Sequence, residues 1–278
     1  MIENNKDFRT KLRENETTLF ENRPRTLSRV SLRGRLNLKI IPSAAETYST
    51  QGWNLTFLND RLRHPRQWLS ATLLAGLLVM ATAGALFMYL ADEIGEQARL
   101  TQVDLAVAQF FHNHGTPWAV RLFEAVTFFG NPSTLGVIGL VTALVLAFHR
   151  RWSLLLGWAF ALIGAGELNV ILKGIFRRLR PQLPDPWVTP SGWSFPSGHA
   201  MGSFVTYGFL AYLLTRVPRA DFPRRTAVAV LAVFLVLLIG FSRIYLGAHY
   251  LSDVIGGYAA AAVWLTFCIL VTDRTQRR

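Results

Sequence analysis

Residues 152–181, WSLLLGWAFALIGAGELNVILKGIFRRLRP, decide how this chain is to be read. The part from 152 to 172 is an apolar run of the length that crosses about 30 Å of hydrocarbon. It closes on Lys173, and Arg180 then precedes Pro181, a residue that disfavours helix just before it. A helix continued to about Arg177 places Lys173 and Arg180 two turns apart on one face, within reach of one anion. A membrane span that ends in a basic island is the pattern to explain.

Outward from this stretch, similar runs recur at about 68–90, 132–148, 199–214, 226–240 and 251–272, which makes six spans. Three of the six are short, so each borrows a turn from its flanks or the bilayer thins around it. The expected fold is all-α, a polytopic bundle of six transmembrane helices over residues 67–273. Composition agrees: 51% hydrophobic residues, 17% charged and a mean hydropathy of +0.28 are too apolar for an ordinary soluble domain. The net charge of +12 is scattered between the apolar runs rather than gathered on one face with aromatics, which points to anionic lipid and away from nucleic acid. Cys268 is the single cysteine, so no intrachain disulfide and no cysteine-rich metal site can form.

Residues 1–66 are polar and basic, without an apolar core of signal-peptide type, and read as a largely disordered cytoplasmic tail. Residues 274–278 form a second basic end. With six spans these two segments, His149-Arg150-Arg151 and the 216–225 connection share one side, which the positive-inside rule makes cytoplasmic. The connections at 174–196 and 241–250 then face outward, and Arg177, Arg178 and Arg180 sit where arginine should be scarce. A functional demand for positive charge explains them, with headgroup snorkelling as the competing account for Arg177 and Arg178. Between the first two spans, Thr116-Pro117 reads as an N-cap followed by proline at the first position of an interfacial helix, and Asn131-Pro132 restarts a helix.

Two further polar islands fall on the outer side. Pro196-Ser197-Gly198-His199 opens the fourth span, with Ser197 as N-cap and Gly198 allowing close backbone approach, at a helix start that suits phosphate. Ser242-Arg243 precedes His249 and Asp253, which are four apart and so share a helical face. A carboxylate there can accept the Nδ1 hydrogen of His249 and leave Nε2 free as a nucleophile. Arg243 can fork onto phosphate oxygens. Glu167, inside the third span, is read as an interhelical hydrogen-bonding group, and Gly164, Gly166, Gly256 and Gly257 as close-packing positions.

Taken together, Lys173 with Arg180-Pro181, Pro196-Ser197-Gly198-His199, and Ser242-Arg243 with His249 and Asp253 resemble the three-part signature of the type 2 phosphatidic acid phosphatase (PAP2) superfamily, the lipid phosphate phosphatases. The likeness covers about 68–272. It implies a six-span bundle and a metal-independent hydrolysis with no cofactor: His249 attacks phosphorus and forms a phosphohistidine, Asp253 orients it, and His199 protonates the leaving group and later activates water. Lys173, Arg180, Ser197, Gly198 and Arg243 would bind the phosphoryl oxygens.

An outer site at headgroup level, flanked by Trp187 and Trp193, suits a phosphate or diphosphate on a lipid tail. By family resemblance undecaprenyl diphosphate ranks first, ahead of phosphatidylglycerol phosphate, phosphatidic acid and lipid A phosphate, in a bacterial inner membrane. A phosphotransferase would use the same phosphohistidine. A vanadium haloperoxidase would share the oxyanion residues on a soluble chain, and a transporter would leave the three islands as coincidence.

Overall fold

Helices account for most of the described chain, which in this computed structural model comprises residues 65–95, 99–216 and 222–276. The order is α1 (Pro65–Gly95), α2 (Arg99–His114), α3 (Pro117–Phe128), α4 (Pro132–Phe148), α5 (Trp152–Phe176), α6 (Gly198–Thr215), α7 (Phe222–Tyr245) and α8 (Leu251–Gln276). No strand occurs among the described residues. The expected tail falls outside them, apart from the first two residues of α1, and the C-terminal end is described only to Gln276.

Large apolar side chains turn outward along the bundle: Leu78 on α1, Leu144 on α4, Leu156 on α5 and Val230 on α7 are all exposed, as lipid-facing surfaces require. Five stretches are long and apolar enough to cross a membrane: Ala71–Ile94, Pro117–Phe148, Trp152–Phe176, Phe222–Tyr245 and Leu251–Gln276. The expected count of six is therefore not reached by length and hydropathy. The stretch read as the fourth span is α6, whose polar residues include Ser203, Thr206 and Tyr207. Those three are buried, and within α6 only Leu214 is exposed. A helix enclosed by other helices needs no lipid-compatible surface, so it lacks the hydropathy signal.

The core joins three of these helices. Trp158 and Ala161 of α5, Met201, Val205 and Phe209 of α6, and Ala261, Leu265 and Cys268 of α8 are buried in one cluster. Polar atoms of the large side chains find backbone acceptors: Trp158 Nε1 donates to Gly139 O at 2.9 Å, Trp264 Nε1 to Ala161 O at 2.9 Å and Tyr258 OH to Val236 O at 2.7 Å. In an apolar surround each unpaired group would cost several kcal/mol, on the order of 2–7. These bonds also fix the rotation of α4, α5, α7 and α8 about their axes.

Local signals set most boundaries. Thr116 and Asn131 are extended N-cap residues, each followed by proline at the first helical position, as their sequences predict. Ser197 is likewise extended, and its hydroxyl accepts the Ala200 N–H at 3.5 Å. Helix α2 has no counterpart in the sequence reading, and α5 ends about where expected but too early for Arg180 to lie on it. Arg177 takes a left-handed conformation (φ 43°) and its N–H returns to Lys173 O at 3.0 Å, which closes the helix at Phe176. Lys173 and Arg180 thus do not share a helical face; Arg180 arrives on the connection between α5 and α6.

Candidate active site

The polar islands meet at one end of the bundle, where α5 and α7 finish and α4, α6 and α8 begin. The connection after α5 is pinned by Phe195, which packs against Phe87 and Phe176 with ring centroids 5.4 and 5.1 Å away. Helix α8 approaches this connection closely at Gly257, where an added Cβ would lie 2.8 Å from Ser197 O. Gly164 and Gly256 are close-packing positions as expected, but Gly166 has nothing within 4 Å and lines a cavity instead.

That cavity, of about 1030 Å³, holds the reactive groups. Lys173, Arg180, Arg243, Gly198, His199 and His249 line its polar end. It continues between α4 and α5 along Gly136, Leu140, Ala143, Leu162, Ile163 and Val170. Glu167 also lines it and is exposed, with no hydrogen bond to another helix among the described residues, so the expected interhelical bond is not formed. Its helix face turns toward the cavity rather than toward a neighbouring helix.

Each candidate nucleophile and acid has a defined set of partners. Arg180 Nη1 lies 3.2 Å from His249 Nε2. A guanidinium can only donate, so Nε2 presents its lone pair and the proton sits on Nδ1. Nδ1 lies 3.4 Å from Asp253 Oδ2 and 3.4 Å from Ser194 Oγ. Burial pushes the His249 imidazole down to about 4, against the pull of Asp253 and with Arg180 and Arg243 adding to the fall. His199 Nε2 lies 2.8 Å from Asn131 Oδ1, an acceptor, which keeps that proton on Nε2 and leaves Nδ1 to exchange a proton elsewhere.

Three of the cations, Lys173, Arg180 and Arg243, face the cavity, and Arg177 and Arg178 do not. Lys173 Nζ donates to Trp193 O at 2.9 Å, and Arg180 donates to Gly192 O, Ser191 O and Ala248 O at 3.0, 3.1 and 2.7 Å. Arg243 Nη1 donates to Thr127 Oγ1 at 2.8 Å, while its Nε is buried with no partner among the described residues. Arg243 lines the cavity together with two other cations, Lys173 and Arg180.

Arg178 behaves differently from either sequence account. Its side chain is only 9% exposed, so it does not snorkel to headgroups, and it bonds Asp253 Oδ1 at 2.6 Å and Asp104 Oδ2 at 2.7 Å. Burial opposes its charge, but Asp253 and Asp104 together hold the guanidinium above its usual range. The exposed Arg177 bonds only the carbonyl of Gly174 in its own helix, which fits the snorkelling account.

Of the residues singled out from sequence, Lys173, Arg180, Gly198, His199, Arg243 and His249 are brought together on the cavity. Asp253 is fully buried behind His249, where an orienting carboxylate belongs. Ser197 is also fully buried and spends its hydroxyl on the helix cap, so it does not reach the cavity. Sequence reasoning missed Asp104, Ser194 and Thr127, and gave Asn131 only a helix start. Ser194 donates to Asp253 Oδ2. Its one signal was adjacency to the Pro196-Ser197-Gly198-His199 island; the signal for Asp104 was a lone acid in an apolar stretch.

Comparison with known proteins follows the same outline. The model of the PAP2 superfamily matches residues 152–277. Phosphatidylglycerophosphatase B of Bacillus subtilis is 31% identical over 164 residues, covering 58% of this chain and 79% of that protein. Decaprenylphosphoryl-5-phosphoribose phosphatase of Mycolicibacterium smegmatis is 33% identical over 169 residues, covering 59% and 81%. Undecaprenyl-diphosphatase of Sulfolobus acidocaldarius is 30% identical over 142 residues, covering 49% and 63%. A crystal structure of a transmembrane PAP2-type phosphatidylglycerolphosphate phosphatase from Bacillus subtilis superposes with a TM-score of 0.64 at 27% identity, covering 72% of this chain and 97% of that one. With the helical bundle, the converging islands and these likenesses in agreement, the chain belongs to the PAP2 superfamily and is a phosphatase integral to a membrane.

Proposed function

We propose that this protein removes phosphate from a lipid phosphate or diphosphate through a phosphohistidine on His249, at the outer face of a plasma membrane. The observation that carries the reading is a cavity that joins three cations and two imidazoles to an apolar groove between α4 and α5. The polar end suits a phosphoryl group and the groove suits the tail attached to it.

In the first step the Nε2 lone pair of His249 attacks phosphorus, the bond from phosphorus to the leaving oxygen breaks, and His199 gives that oxygen a proton. In the second, water attacks the phosphohistidine, the P–N bond breaks, phosphate leaves and His199 takes the proton back. Arg180 must release Nε2 to the substrate, and with Lys173 and Arg243 it neutralises the phosphoryl oxygens. Gly198 N–H adds a donor at the start of α6. Ser197 supports this start as its cap.

Residues 67–273 form the catalytic unit in this reading, with α6 as a sixth crossing. Its 18 residues extend about 27 Å, and it starts at the polar end where α5 finishes. Both termini are then cytoplasmic. Undecaprenyl diphosphate remains the first substrate to try, with phosphatidylglycerol phosphate and phosphatidic acid as competitors; the relatives are named for phosphates on several different long-chain lipids.

The test is phosphate release by purified protein in detergent with EDTA present, across undecaprenyl diphosphate, phosphatidylglycerol phosphate, phosphatidic acid and a lipid A phosphate. Release is expected to survive EDTA, because no group of three or more His, Cys, Asp or Glu among the described residues is placed to hold a metal. Loss that added metal alone restores would contradict the mechanism. Transfer of the phosphoryl group to an acceptor lipid instead of water would make the enzyme a phosphotransferase.

The pH profile gives an independent check. His249 attacks only when neutral, so kcat/KM falls as pH drops through the pKa of its imidazole in the free enzyme, near 4. An acid limb at about 6.5, after correction for ionisation of the substrate, would remove the buried His249 as the group that titrates.

A further inference from the structure

Helix α2 carries one fully buried acid, Asp104, outside the span matched by the family model and outside every island of the sequence signature. Its carboxylate accepts three hydrogen bonds: from Arg178 Nη2 at 2.7 Å, from the Ser252 N–H at 3.0 Å and from the Ser252 hydroxyl. Arg178 Nη1 divides itself between Asp253 Oδ1 at 2.6 Å and Ser252 Oγ at 2.7 Å, and its guanidinium lies over the Tyr250 ring, 4.2 Å from the centroid. The chain of contacts therefore runs from Asp104 through Arg178 and Asp253 to His249.

Charge accounting gives this chain a purpose. Asp253 must be a carboxylate facing Nδ1, and phosphorylation of Nε2 makes the imidazole cationic. Arg178 holds Oδ1 and so turns Oδ2 to His249, Ser194 and the Tyr250 N–H. Yet an arginine bound to Asp253 alone would cancel the negative charge that the cationic imidazole needs. Asp104, on the other fork of the guanidinium, returns the buried cluster to a net single negative charge.

We propose that Asp104 is a positioning residue for the phosphatase reaction, acting through Arg178 to keep Asp253 both oriented and negatively charged toward His249. The inference rests on the reading of His249 as nucleophile. Asp104 touches neither the cavity nor the substrate, so its loss should change turnover and leave the binding of lipid phosphate alone.

The experiment is a double-mutant cycle on the full chain in detergent, with Asp104→Asn, Asp253→Asn, the pair together, and His249→Ala as a control, assayed on whichever lipid phosphate the wild type hydrolyses. Asp104→Asn is expected to lower kcat about tenfold or more, with KM within about twofold of wild type. In the Asp253→Asn background the same change should lower kcat no further, since the route it acts by is already gone. A merely structural role, as a cap on the first turn of α8, would lower kcat by the same factor in both backgrounds.

Wild-type kcat in Asp104→Asn, or a full penalty retained beside Asp253→Asn, overturns the proposal. If Asp104→Asn is not recovered folded, Arg178→Lys carries the test: one ammonium cannot bridge two carboxylates as the fork does, so kcat should fall with KM unchanged, and a wild-type kcat overturns the proposal. Activity in His249→Ala would instead refute the nucleophile assignment beneath it.

Discussion

His249→Ala is expected to abolish phosphate release, lowering kcat by about 10⁴-fold or more, in a protein that still folds. The size follows from what the cavity offers in its place. Among the groups lining it, His199 has one ring nitrogen committed to Asn131, and Arg180 and Lys173 are cations with no lone pair to give. Glu167 lies six residues before Lys173 on α5, about 9 Å away along the axis. No second nucleophile stands where His249 Nε2 stands. The substitution removes a side chain that is 2% exposed, so some stability is lost with it, and a thermal melt in detergent separates that loss from the loss of chemistry. Brief reaction of wild type with a ³²P-labelled lipid phosphate should leave acid-labile label on the protein, and His249→Ala should carry none. Residual turnover near the wild-type rate would remove His249 from the mechanism.

Asp253→Asn should cost nearly as much, about 10³–10⁴-fold in kcat, with KM close to that of wild type. Asp253 Oδ2 accepts from Ser194, from the Tyr250 N–H at 2.9 Å and from the Nδ1 side of His249, while Oδ1 accepts from Arg178 at 2.6 Å. An asparagine can present one oxygen to this set, and its amide must face the other half. If the amide faces Nδ1 it donates there, which moves the lone pair to Nδ1 and the proton to Nε2, opposite the Arg180 donor. If the oxygen faces Nδ1, Arg178 loses its acceptor and is left with a buried charge paired only on the Asp104 side. Breaking a buried ion pair costs about 3–5 kcal/mol, so a lowered melting temperature should accompany the second arrangement. Substrate affinity should survive either one, because Lys173, Arg180 and Arg243 keep their places on the cavity. A variant that binds lipid phosphate poorly but turns it over normally would contradict the assignment.

These two results concern residues that the sequence already marked, and the reason is that their signals are local. His249 and Asp253 are four apart, Ser197 caps the helix that follows it, and Pro132 sits at the first position of α4. Apolar runs locate α1, α4, α5, α7 and α8 because a lipid-facing helix must be apolar along much of its own length. The run at 199–214 marks α6 as well, but more weakly, since its environment is the other helices.

The sequence by itself determined that this is a helical membrane protein with a basic, histidine-bearing site at one end of its helices, because span length, capping and short motif spacing are properties of neighbouring residues. Only the tertiary structure decided that Arg178 is a buried bridge and Arg177 an exposed one-turn contact, that Ser197 turns away from the cavity, that Glu167 faces it, and that Asp104 stands behind Asp253. Arg178 meets Asp104 across 74 positions and Asp104 meets Ser252 across 148. Contacts of that range depend on how whole helices pack, and the spacing of neighbouring residues along the chain carries no record of them.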